Sequence, residues 1–190
     1  MAVLPIYLYD HAVLRRKARI VKSADGPTRQ LAEDMLETMH RANGIGLAAN
    51  QVGEIRRVIV VDVSEMEESK GTPPVAMLNP EVVREEGRWA MEEGCLSIPE
   101  LREEVERPEH IIVRFHDLDF SPREIEATGI FGRVILHEID HLNGVLFIDH
   151  LNTVRRKLLR GKLNKVRRGE LELQYPVVLT SDVAASGAEK

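Results

Sequence analysis

A histidine, a glutamate and a second histidine stand together as His137, Glu138 and His141 in the segment HEIDH. Residues four apart lie about one turn apart on the same face of a helix. Two imidazoles so placed can converge on one ion while the glutamate beside them handles a proton, which is hydrolytic chemistry. The competing reading is a pair of core histidines bonded to backbone. That reading must bury two histidines, Glu138 and Asp140 in the otherwise apolar stretch IFGRVILHEIDHL, which costs free energy unless they are paired or coordinated. Metal binding removes the cost.

A catalytic centre of the zinc type takes three protein ligands and leaves one position open. In the extended protease motif a further histidine would fall where this chain has Phe147, so that route fails. Glu170 and Glu172 follow a basic segment and are unattractive. Cys95, the single cysteine, stands after Gly94 in EEGCLSIPE. A thiolate binds borderline metals strongly, although a lone cysteine is more often a small buried hydrophobe. The loop NGIGLAANQVG, residues 43–53, has three glycines and, among its amides, Gln51. A tight turn accounts for the glycines. A small-residue loop also brings backbone groups and one side-chain donor up against a ligand.

These residues need elements to hold them. Residues 27–43 place Leu31, Met35 and Met39 four apart, the pattern of an amphipathic helix. The stretches 56–63, 75–80 and 110–118 are β-branched and predict strands, with 64–74 an exposed loop. Residues 130–142 are too apolar on all sides for a surface helix and belong in the core, stopped by Asn143 and Gly144. A basic helix is expected over 151–168, with Leu151, Val154, Leu158 and Val166 toward the body. The expected fold is α+β, with antiparallel or mixed sheets around a buried central helix carrying the HExxH motif, plus a C-terminal helix. Residues 1–168 form one domain in this reading, and 169–190 a tail that is partly disordered.

The chain has 190 residues, 43% of them hydrophobic and 30% charged, as in ordinary globular domains. One cysteine excludes an intramolecular disulfide, and the N-terminus lacks the basic and apolar regions of a signal peptide, so a reducing cytoplasm is expected. Its apolar runs are too short to span a bilayer. The net charge is −5, yet residues 155–168 hold eight basic side chains and no acidic one.

Taken together, GIGLAANQVG, EEGCLSIPE and HEIDHLNG resemble the three signature segments of bacterial-type peptide deformylases, in order; the likeness extends to LPIY and DHAVLRRKA and covers most of residues 4–150. The resemblance implies that Cys95, His137 and His141 are metal ligands and that Glu138 is the general acid/base. Gln51 and the backbone amide of Leu96 would form the oxyanion hole, Gly46 would bind substrate backbone, and Arg102 would contact the bound peptide. The substrate would be the N-formylmethionyl end of a nascent polypeptide, attacked by hydroxide from a metal-bound water. Glu93 and Asp140 are candidates for orienting a ligand or Gln51, against a reading as ordinary ion pairs.

Ligand type alone points to zinc, whereas the resemblance implies Fe(II) in the cell, with zinc, nickel or cobalt able to occupy the site. Two residues depart from the family pattern: Asn50 replaces a usual proline, and Leu136 a usual polar residue. Because deformylation acts on chains leaving the ribosome, the basic residues 155–168 are expected to contact ribosomal RNA; neither DNA nor a membrane is an expected partner. Two rival classes are a general zinc endopeptidase and a non-catalytic, metal-clamped ribosome-binding module. Neither explains Gln51 and Cys95.

Overall fold

A computed structural model describes residues 1–180. Its elements are β1 (Ile6–Tyr7), α1 (Gly26–Arg41), β2 (Gly46–Ala48), β3 (Val58–Val61), β4 (Val75–Glu86), β5 (Trp89–Cys95), β6 (Ile98–Arg107), β7 (His110–His116), β8 (Pro122–Thr128), α2 (Gly129–Leu142), α3 (Thr153–Arg167) and β9 (Val177–Val178). The main sheet is antiparallel, in the order β2-β3-β4-β7-β8; β5 and β6 form a separate hairpin, and β1 pairs with β9 in parallel.

Strand β3, VIVV, shows how the layers arise. All four residues are buried: Val58 and Val60 pack with Leu31, Met35 and Met39 of α1, while Ile59 and Val61 pack with Val134, Ile135 and Ile139 of α2. A strand covered on both faces reads as a continuous apolar run rather than an alternation. Each such side chain contributes about 1.5–3 kcal/mol of burial.

Asp25 caps α1 by accepting from the Thr28 amide at 2.9 Å. Helix α2 lies with one side on the sheet and the other toward the β5–β6 hairpin, where Arg133 donates to the carbonyls of Val105 and Trp89. It ends at Gly144, whose φ is +76° and where a Cβ would sit 2.5 Å from the Arg15 carbonyl oxygen. Only glycine tolerates both conditions.

The expected helices and strands are present, with β4 reaching Glu86 rather than stopping at residue 80. Two features differ from expectation. Along α3 the buried residues are Leu159, Leu163 and Val166, while Val154 and Leu158 are each 70% exposed. The inward stripe is thus rotated from the expected one, since Leu159 and Leu163 recur at i, i+4 and meet the cluster under the hairpin. The stretch after residue 168, expected as a tail, carries structure as far as it is described. Leu171, Leu173, Val177 and Leu179 pack against the same cluster, and β9 joins β1. The rest of that expectation, residues 181–190, lies outside the described residues. Among the described residues no helix is long and apolar enough to cross a membrane.

Candidate metal centre

Cys95 ends β5 at an irregularity in the hairpin register, and His137 and His141 lie one turn apart on α2. Their potential ligand atoms all fall within 4.8 Å of one another, with Cys95 Sγ 3.2 Å from His141 Nε2. A soft sulfur and two imidazoles at that separation suit a tetrahedral-type site with a fourth position open.

The surroundings prepare these atoms for a cation. Glu93 Oε2 lies 3.0 Å from His137 Nδ1. An ionised carboxylate only accepts, so Nδ1 carries a hydrogen and Nε2 is turned toward the site, where a bound ion would replace any second proton. Burial alone would push the His137 pKa down, but Cys95 and Glu93 beside it override this and hold it well above the ordinary imidazole value. His141 is held well below that value by burial, then by the positive charges of His137 and Arg107. Three donors this close together, with a carboxylate behind one of them, suit a single cation shared among them.

Glu93 is itself held by a buried network that the sequence did not reveal. Arg107 donates to both of its oxygens, at 2.6 and 3.1 Å, and Arg133 donates to Oε1 at 2.7 Å. Burial would raise the Glu93 pKa; His137 and Arg107 pull it down to about 2. Arg133 also stacks over the Trp89 ring at 4.8 Å. Asp140, on α2, accepts from Arg107 at 2.8 Å and lies 2.7 Å from His150 Nε2. Glu93 therefore touches a candidate ligand directly, while Asp140 reaches it only through Arg107. No pattern of residue types singles out Arg107; Arg133 stands one turn before His137 on an apolar helix, which is a usable signal.

Glu138 is buried, and its Oε2 has no partner among the described residues. Burial pushes its pKa up to about 7, against the opposing charges of His137 and Arg107. Opposite it, a Cβ at Gly46 would overlap Glu138 Oε1 and come within 2.6 Å of Val134 Cγ1. Glycine there is a requirement of close packing between β2 and α2, and it leaves the β2 backbone beside the carboxylate.

Gln51 sits in a one-turn 3₁₀ helix, Ala49–Val52. Its Oε1 accepts from the Ala48 amide at 2.8 Å, which turns Nε2 toward Ser97 Oγ at 3.2 Å and Cys95 Sγ at 3.5 Å. The preceding Asn50 is fully buried and its Nδ2 donates to the Arg16 carbonyl at 2.6 Å. In place of a ring that fixes φ, this chain ties the turn down with a side-chain hydrogen bond. Leu136, the other departure, is buried in the core between α2 and the sheet.

These residues open onto a cleft of about 760 Å³ lined by Gly46, Gln51, Cys95, Leu96, His137 and Glu138, with Arg102 on its wall. Arg102 is exposed. Tyr175 and Lys162, from the C-terminal part of the chain, also reach the cleft. Burial, with Cys95 adding to it, pushes the Tyr175 phenol up to about 12, so it remains a hydrogen-bond donor.

The family model for polypeptide deformylase matches residues 3–157. A peptide deformylase of Salinibacter ruber is 47% identical over 188 residues, covering 95% of this chain and 96% of its own. The crystal structure of a peptide deformylase from Legionella pneumophila superposes with a TM-score of 0.81 at 36% identity, covering 89% of this chain and 98% of that one. The enzyme from Ehrlichia chaffeensis in complex with actinonin gives 0.82 at 35% identity, covering 90% and 100%.

Proposed function

The chain belongs to the polypeptide deformylase family, and from this we propose that Cys95, His137 and His141 hold the divalent ion while Glu138, Gln51 and the Leu96 amide act on the formyl group. The protein is a metal-dependent hydrolase that removes the formyl group from the N-terminal formylmethionine of nascent polypeptides, releasing formate. The observation that carries the residue assignment is the convergence of three metal-binding atoms beside a buried carboxylate with one oxygen unpartnered among the described residues.

When bound, a divalent ion supplies a water that ionises near neutral pH. Glu138, buried and with Oε2 unpartnered among the described residues, would accept the proton of that water and return it to the departing amine. Gln51 Nε2, aimed by the Ala48 amide, and the Leu96 N–H donate to the formyl oxygen as it gains charge. Strand β2 is the edge of its sheet, so the backbone around Gly46 is available to pair with the extended end of a substrate chain. Arg102 meets the peptide farther out. The resident ion in this reading is Fe(II), with zinc, nickel or cobalt as substitutes, and the compartment is the cytoplasm, whose reducing state protects an iron-bound thiolate.

Formate release from formyl-Met-Ala-Ser by the anaerobically purified, Fe(II)-loaded chain tests the reading. Rapid release is expected. Failure of a chain carrying one ion per molecule to release formate overturns it.

The outer face of α3 is the proposed ribosome contact. Arg155 is bound to Glu103 and Arg167 lies 3.7 Å from Asp10, whereas Lys157 and Arg160 are exposed and form no ion pair among the described residues. Exchanging Lys157→Gln and Arg160→Gln should weaken ribosome association and lower its salt slope by about one for each phosphate no longer neutralised. Unchanged affinity at low salt removes the proposal.

A further inference from the structure

The turn Leu96–Ser97, directly after Cys95, is held in part from outside the segment that the family model matches. Tyr175 Oη donates to the Leu96 carbonyl at 2.8 Å. The next carbonyl, of Ser97, accepts from the Tyr9 amide at 2.8 Å. Both donors belong to one small unit. Strand β1 pairs in parallel with β9, the Ile6 amide donates to the Pro176 carbonyl at 2.9 Å, and the Leu8 amide to the Val178 carbonyl at 3.0 Å. Leu173, Val177 and Leu179 anchor that unit in the cluster under the hairpin. The Tyr175 ring meanwhile forms part of the cleft wall.

We propose that Tyr175 is a positioning residue for the deformylation reaction: its hydroxyl, by holding the Leu96 carbonyl, fixes the turn that presents the Leu96 amide to the formyl oxygen, and its ring shapes the adjoining substrate wall. This rests on the role given to the Leu96 amide above. Two consecutive peptide units of the turn have their carbonyls engaged on the outer side. Cys95 Sγ, 3.2 Å from His141 and 3.5 Å from Gln51, fixes the inner side. The Leu96 N–H lies between these restraints, so its direction is set before substrate arrives. Fixed donors stabilise developing charge without reorganising, and loosening one sacrifices part of that advantage. Among the described residues of that wall, Gln51 reaches the turn only at the Ser97 hydroxyl, whereas Tyr175 holds a backbone carbonyl of it and Arg102 and Lys162 do neither, so the task of fixing the peptide falls to the phenol.

The test compares the metal-loaded full chain with Tyr175→Phe and Tyr175→Leu in formate release from formyl-Met-Ala-Ser. Tyr175→Phe keeps the ring and loses the hydroxyl. Its kcat should fall about tenfold with KM nearly unchanged, since the lost restraint acts on the transition state; displacements of about 1 Å at a reacting group can cost up to 100-fold. Tyr175→Leu should show the same fall in kcat and also a raised KM. Metal content and melting temperature of Tyr175→Phe should match the parent chain, a combination that a merely structural role would not give. A kcat for Tyr175→Phe within twofold of the parent, or a fall that tracks metal loss, overturns the inference. An inactive parent chain would instead count against the underlying function.

Discussion

Glu138→Gln is expected to lose about 10²- to 10⁴-fold in kcat while retaining its metal. The substitution keeps the shape of a side chain for which there is no spare room. Gly46 lies so close to one oxygen that even a Cβ there would overlap it, so a bulkier change would test packing rather than chemistry. An amide cannot take up a proton near neutral pH. It also leaves Cys95, His137 and His141 untouched, and Glu138 does not belong to the convergent donor set. Metal content measured per chain should therefore stay at the parent level as formate release collapses. A kcat within a few-fold of the parent would remove Glu138 from the proton transfer and leave the proposal without an acid or base, because the other carboxylates so close to the ligands are already engaged. Glu93 is held by two arginines and a histidine, and Asp140 by Arg107 and His150.

The parts of this site differed in how far the sequence disclosed them. Helix α2 was legible because an apolar stretch holding two histidines and two acids poses an energetic problem that has few solutions. Strand β3 was legible because burial on both faces leaves an uninterrupted β-branched run. The β5–β6 hairpin was not. Its inward positions on β6 alternate strictly from Leu101 to Arg107, but two of the four are Glu103 and Arg107, and β5 turns Glu93 inward. Charges that satisfy one another in the interior look, in one dimension, like charges that face water. The same masking hid Arg107 as a partner of Glu93.

Cys95 was a weak candidate on residue type alone and became a strong one only beside two other motifs. Its distance from His137, 42 positions in sequence, is closed by a hairpin that no local pattern announced. Tyr175 carried no signal, since its role depends on β9 finding β1 across nearly the whole chain. Local periodicity reports which face of an element is buried. It does not report which buried faces meet.

That hidden network yields the second large expected effect. Glu93→Gln should weaken metal binding about 10- to 100-fold and cost about 3–5 kcal/mol of folding stability. The carboxylate orients His137 through Nδ1, and an amide in its place could present either a donor or an acceptor there, so the imidazole is no longer held in the ligating tautomer. The stability loss has a separate cause. Arg107 and Arg133 are 5% and 3% exposed, and without Glu93 the two buried guanidiniums would share only Asp140, which touches one of them. Because the folded-state pKa of Glu93 lies near 2 against an ordinary value of 4.5, its contribution is complete above pH 4.5 and disappears as pH falls to about 2. Denaturant unfolding of metal-free parent and variant should therefore show a gap that is constant at neutral pH and closes across that acidic window. A gap that persists unchanged at pH 2, or a variant that binds metal as tightly as the parent, would show that the arginines rather than Glu93 hold the centre together.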